Sequence, residues 1–250
     1  MKSVRATRYL TPLREGGSVP AIIEADDCGT YVVKFRGAAQ GARALIAEVI
    51  AGELGRALGL PVPQLARVDI DPLLARSEPD PEIQATLAAS AGANIGLDYL
   101  PGSLNWEPPF GADAALAAKI VWFDALVTNV DRTAKNPNML RWHKRLYLID
   151  HGASLYFHHS WEGHMSRAKS PFAVIRQHAL LPFASSIADA DRELAPQVTR
   201  AVLESIVAEI PDELFTPDDV ATRDGYVEHL STRLEAPRAF AEEAERARVV

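Results

Sequence analysis

Three side chains within Asn129–Asp150, NVDRTAKNPNMLRWHKRLYLID, have the types and spacing for cation and proton chemistry. Asp131 and Asn136 stand five apart in a polar loop that follows an apolar run. Asp150 closes a later apolar run, just before His151-Gly152. A hard cation such as Mg²⁺ takes oxygen ligands and uses only one or two protein carboxylates. Asn136 offers a neutral oxygen and Asp150 a charged one, which leaves Asp131 free to accept a proton. Asp and Asn are also ordinary loop residues, because their side chains bond the nearby backbone. Position raises the trio above that background: an apolar helix precedes Asp131, and a hairpin separates Asn136 from Asp150.

Lys34 lies near the end of the strand-like run TYVVKF, residues 30–35. A lysine facing inward there is costly unless a carboxylate pairs with it. Glu48 follows on the next helix among Leu45, Val49 and Ile50, close to the buried face. A strand lysine held by a helix glutamate can fix nucleotide phosphates; the plainer alternative points Lys34 at solvent. Gly16-Gly17-Ser18 lies between the first two strands, where glycines let backbone N–H groups approach a phosphate. Two glycines also make a plain hairpin turn. His151, His158, His159 and His164 form a second cluster that could ligate a transition metal. They lack HExxH spacing, so surface or substrate contacts are the expectation and a metallohydrolase is a rival reading.

These residues need elements to hold them. Arg5–Leu13, Val19–Glu24 and Thr30–Phe35 read as three strands of an antiparallel meander. Apolar spacing predicts a helix over Gln40–Leu58, ended by Gly59 and kept from returning by Pro61 and Pro63. Gln64–Ile70 and Ile95–Leu100 read as strands. Between them Asp71–Ser90 reads as an insertion with a short helix at Pro81–Ala89. A strongly apolar helix is expected over Asp113–Thr128, with Trp122 in the core. Met139–Trp142 and Arg145–Ile149 form a hairpin around His143-Lys144, which lacks the usual Asn-Gly chemistry. Helices are expected near 189–208, 217–234 and 237–248. Trp106 lines a cleft or anchors a loop. The shift from strand-rich to helix-rich near residue 100 suggests two lobes.

The 250 residues are 48% hydrophobic and 24% charged, with a net charge of −7, as in an ordinary globular protein able to bury a sizeable core. Cys28 is the only cysteine, which excludes an internal disulfide and a cysteine zinc site. No apolar run nears the ~20 residues of a membrane span, and no signal-peptide core opens the chain, so a cytoplasmic location is expected. The acidic balance argues against direct nucleic-acid binding. Charge is nonetheless uneven. Residues 131–176 carry eight Lys and Arg against three acids, with five of the seven histidines, which suits an anionic ligand.

The order of parts is Gly-rich turn, strand Lys, helix Glu, apolar strand, Asp-x-x-x-x-Asn loop, hairpin and Asp-x-Gly, as in protein kinases. The sequence departs from eukaryotic protein kinases at Asn129-Val130-Asp131, at Asp150-His151-Gly152 and in lacking an Ala-Pro-Glu signature. It more closely resembles bacterial HipA-like kinases, and more remotely phosphatidylinositol 3/4-kinases. DRTAKNPN at 131–138 and LIDHGASLYF at 148–157 carry the resemblance most strongly. REGGSVPAIIEA at 14–25, YVVKFRG at 31–37 and AEVIAGELGRALGLPVP at 47–63 add to it, and it spans roughly 5–185. It implies an α+β, bilobal protein-kinase-like fold. The N-lobe, residues 1–100, would be an antiparallel sheet with one helix, and the C-lobe, 101–250, mainly helical with a hairpin. It implies an ATP- and Mg-dependent kinase acting on a hydroxyl acceptor, a protein Ser/Thr or the chain itself. Asp131 would be the catalytic base, with Arg132 and Lys135 neutralising the γ-phosphate. Asn136 and Asp150 would hold Mg²⁺. Lys34, positioned by Glu48, and Gly16, Gly17 and Ser18 would hold phosphates, while Asp98, Tyr99 and Leu100 form the hinge that reads adenine. The full-length HipA toxin has an added N-terminal region, so the resemblance leaves an antitoxin-type partner and a toxin role open. A non-catalytic nucleotide-binding pseudokinase is the other rival.

Overall fold

The computed structural model describes residues 1–13, 20–38, 41–108, 110, 113–215 and 220–249. The Gly16-Gly17-Ser18 turn and Gln40 lie outside the described residues. The first strands are β1 (Lys2–Pro12), β2 (Ala21–Ala25) and β3 (Thr30–Lys34), followed by helix α1 (Gly41–Ala57). Next come β4 (Leu65–Ile70), α2 (Pro81–Ala89) and β5 (Gly92–Asp98). The strands do not make an open antiparallel sheet. They close into a barrel in the order β1-β2-β3-β5-β4. Closure comes from one parallel pairing, Lys2–Arg5 along Ala66–Asp69, while the far half of β1 pairs antiparallel with β2. Irregularities after Ala6 and Tyr9 let one long strand bend to serve both neighbours.

Strand alternation sorts the side chains of β3. Tyr31, Val33 and Phe35 fill the barrel with Val4, Ile23 and Val68. Val32 and Lys34 therefore point outward. The 71–90 segment is more than an insertion, since Ala75 and Leu87 plug the barrel core. Asp80 caps α2 through the Glu82 N–H, with Pro81 at the first turn.

Helix α1 is buried nearly all round, because it lies between the barrel and the later helices. Its Gly52 permits that approach: a Cβ there would stand 2.9 Å from both Leu65 methyls. A second core joins α1, Leu65, Ile95 and Leu97 to the C-terminal half. In that half β6 (Leu104–Asn105) adds an unforeseen third strand to β7 (Met139–Trp142) and β8 (Arg145–Leu148). His143 and Lys144 both take positive φ at the β7–β8 tip, as a two-residue hairpin requires. Helix α3 (Ala114–Leu126) is capped by Asp113 and buries Trp122 against Phe240.

The remaining helices are α4 (His164–Arg167), α5 (Ile187–Leu194), α6 (Arg200–Ala208), α7 (Arg223–Leu234) and α8 (Ala239–Arg248). One helix was expected over 189–208. Pro196 breaks it, and Thr199 caps the second piece. Trp106 is buried against Phe183 and donates to the Phe110 carbonyl, so it anchors a loop. Among the described residues, no helix is long and apolar enough to cross a membrane.

Candidate active site

Lys34 lies between two carboxylates. Its Nζ is 2.6 Å from Glu48 Oε2 on α1 and 2.5 Å from Asp150 Oδ1, just after β8. The pairing with Glu48 expected from the sequence is present, on the outer face of the barrel where α1 packs, rather than inside it. Burial pulls the Lys34 amine down, but the two carboxylates outweigh it and hold the group above the ordinary lysine value. Glu48 is pushed up by burial despite Lys34 beside it. Asp150 remains below the usual carboxylate range, because Lys34 overcomes its desolvation.

Asp131 follows α3 in a loop tied on every side. Its N–H donates to Asn129 Oδ1 at 3.1 Å, and Asn129 Nδ2 donates to Asp124 Oδ1 on α3 at 3.0 Å. Asp131 Oδ2 accepts from Asn136 Nδ2 at 2.9 Å and from Asn138 Nδ2 at 3.1 Å. An ionised carboxylate only accepts, so both amides must present nitrogen to it. The Asn136 oxygen is thereby turned away from Asp131, as a neutral cation ligand requires. Asn138 takes a left-handed φ of 45°, and its carbonyl accepts from the Ile149 N–H at 3.0 Å. Asp150 is also left-handed, at φ 54°. Asn and Asp tolerate this region best, and such strain concentrates at functional sites. The Asp131 and Asp150 loops are thus laced together. Hard oxygen donors on Asn136 and Asp150 fit Mg²⁺ chemically, and the Asp150 side chain is 39% exposed.

Arg132 does not fit the role expected of it. It is 1% exposed, with Nε 2.6 Å from Asp124 Oδ2, and it points behind the loop. A guanidinium placed there cannot neutralise a γ-phosphate in the cleft. Lys135 is exposed. Asp124, Asn138 and His178 are the functional neighbours that sequence reasoning missed. Asp124 had a signal, as the lone acid in an apolar helix. Asn138 had a weaker one, as the second amide of Asn-Pro-Asn.

A cleft of about 870 Å³ lies beside the outward face of the barrel. Leu10 and Ile22 line one wall, Asp98–Leu100 the back, and Trp142 with Tyr147 the floor. Ile22 pairs with Val32 in the sheet, so its side chain shares the face of Lys34, while the cleft lining itself stops short of Lys34. The Asp98 and Tyr99 N–H groups donate to the carbonyls of Gln64 and Thr30 at 2.9 Å each, so neither can also donate to a base.

The histidines divide. His151 and His158 are buried and His159 is exposed. Phe157 and His164 stack with His229 of α7, and Trp161 stacks on His164, pinning the segment after Asp150. Among the described residues, no three His, Cys, Asp or Glu side chains group to hold a metal ion, so the metallohydrolase reading finds no site.

Whole-chain comparisons bear on the fold and the family. The fold is similar to the crystal structure of the Helicobacter pylori proinflammatory kinase CtkA. The TM-score is 0.54 and the identity 13%, over 92% of this chain and 94% of that one. No curated protein matches the chain. A family model described as HipA-like kinase matches residues 7–239, nearly the full length. The chain belongs to the HipA-like kinase family and is a phosphotransferase.

Proposed function

We propose that the protein transfers the γ-phosphoryl group of ATP to a hydroxyl acceptor in a Mg²⁺-dependent reaction. The observation that carries this is Lys34 held at 2.6 Å from Glu48 and 2.5 Å from Asp150, which joins the barrel to the cation-binding loop. The base would lie between Ile22 and Trp142, with the phosphates toward Lys34. Residues 1–100 and 101–250 would act as two lobes around it. Gly16, Gly17 and Ser18 would cover the phosphates. Asn136 and Asp150 would hold Mg²⁺, which when bound offsets the charge of the phosphate oxygens. Lys34 fixes the phosphates, and Lys135 replaces Arg132 as the exposed cation of the loop. Asp131, its Oδ2 held by two amides, orients the acceptor hydroxyl and takes its proton. The acceptor is a protein Ser/Thr or the chain itself, in a cytoplasmic setting.

The test is transfer from γ-labelled ATP in a cell lysate. Asp131→Asn is expected to keep nucleotide affinity and lose about 100-fold or more in transfer. Undiminished transfer by that variant would remove Asp131 from the mechanism.

A further inference from the structure

Behind the site lies a buried polar cluster that the reaction above does not use: Asp124, Arg132, His151 and His178. Asp124 Oδ2 accepts from Arg132 Nε at 2.6 Å and from His178 Nε2 at 2.9 Å. Arg132 Nη1 donates to the Asn138 carbonyl at 2.5 Å and to the Ile149 carbonyl at 3.3 Å. Its Nη2 faces His151 Nδ1 at 3.3 Å. One guanidinium thus grips the residue whose side chain holds Asp131 and the residue that precedes Asp150.

We propose that Arg132 is a positioning strut that sets the spacing of the Asp131–Asn138 and Asp150 loops, braced by Asp124 and oriented by His151. The proposal rests on the kinase reading of the site. The guanidinium is a planar fork, so fixing two of its edges fixes the third. Asp124 fixes the Nε edge, and His151 fixes Nη2. The remaining nitrogen is then aimed at the two carbonyls. A guanidinium only donates, so His151 Nδ1 must accept, and its proton sits on Nε2. His151 Nε2 is buried with no partner among the described residues, so it contributes no bond to the cluster. This accounts for histidine where most protein kinases carry phenylalanine: the ring packs edge-on to Phe123 at 6.0 Å and also supplies an acceptor.

The closing experiment compares His151→Phe, which keeps a ring and loses the acceptor, with His151→Asn, whose amide oxygen can replace Nδ1. Arg132→Lys, which keeps the charge but not the fork, is the third variant. Thermal melts establish that each is folded. Three readouts follow: hydrogen exchange at the Ile149 amide, the ratio of ATP Kd without and with Mg²⁺, and kcat with KM for ATP. His151→Phe and Arg132→Lys are expected to lose Ile149 protection and the Mg²⁺ gain in affinity. Their kcat should fall about 10- to 100-fold, and KM for ATP with Mg²⁺ present should rise by about the factor of affinity lost. His151→Asn is expected to restore most of each quantity. Equal impairment of the Asn and Phe variants would overturn the proposal, because the acceptor would then not be what matters. Unchanged Ile149 exchange and Mg²⁺ ratio in folded His151→Phe and Arg132→Lys would also overturn it. If the wild type transferred no phosphate, the kinase reading would fail, while the exchange and affinity readouts would still decide the strut.

Discussion

Replacing Lys34 with methionine removes the cation from between two carboxylates. Glu48 is affected most, since its side chain is 0% exposed, whereas that of Asp150 is 39% exposed and can turn to water. Burial already pushes the Glu48 carboxyl up against the pull of Lys34, so the variant is expected to bind a proton there. That proton sets a ceiling on the damage. An ordinary glutamate titrates near ~4.3 and each unit above it is ~1.36 kcal/mol, so keeping Glu48 neutral at about pH 7.5 costs at most about 4 kcal/mol. The folded variant then holds a proton that its unfolded chain releases, so its stability rises as pH falls toward the ordinary glutamate value. At about pH 5 the same reasoning leaves a deficit of about 1 kcal/mol. Lys34 adds no slope of its own here. Burial lowers it, the two carboxylates raise it further, and its contribution is lost only above the ordinary lysine range. Urea unfolding of variant and wild type at both pH values measures the difference. The double variant Lys34→Met/Glu48→Met should recover most of the stability and no activity, because apolar packing commonly replaces a buried pair at little cost. A deficit under about 1 kcal/mol at about pH 7.5, or one of equal size at both pH values, refutes the reasoning.

Trp142→Ala removes the floor of the cleft and should raise KM for ATP on the order of 10-fold with kcat retained, since stacking a base on an aromatic ring is worth about 1–3 kcal/mol. An unchanged KM would move the base elsewhere. Gly225→Ala places a Cβ 2.5 Å from Trp161 Cζ2, so Trp161 must shift. A loss of about 1–3 kcal/mol is expected, with faster proteolysis near 156–168. Equal proteolysis rates would show that this contact does not pin the segment.

How much the sequence revealed follows from the range of the interactions involved. Helices α1 and α3 and the β7–β8 hairpin were legible, because period, caps and turn length are local signals. Lys34 with Glu48 was legible for a related reason: an unpaired charge in an apolar strand demands a partner, and the next helix offered one. Barrel closure was not, because it rests on Lys2–Arg5 pairing parallel with Ala66–Asp69, some sixty residues away, and nothing in either segment encodes that register. Arg132 was misread because residue type and loop position say nothing about direction. Its guanidinium turns to Asp124 rather than into the cleft. A basic residue beside a candidate base suits a phosphate equally well until the acid in α3 is counted.

Two buried ion pairs stand on either side of the site, and they share a logic. Glu48 holds Lys34, and Asp124 holds Arg132; each acid sits on a largely apolar helix and each cation comes from another element. Buried pairs of this kind add little stability over well-packed apolar residues, because desolvation offsets their attraction. Stability alone therefore gives no reason to keep them, and direction does. An apolar side chain can fill the same space, but it cannot hold an ammonium against Asp150 or aim a guanidinium at the carbonyls of Asn138 and Ile149. Asp124, placed by α3, grips Arg132 and Asn129 together and so reaches both the backbone of Asp131 and the loop bearing Asp150. Glu48, placed by α1, reaches Asp150 through Lys34. The two helices belong to one continuous core. Asp150 is thus located relative to that core from both sides, so the geometry of the candidate site depends on packing far from Asp150 itself.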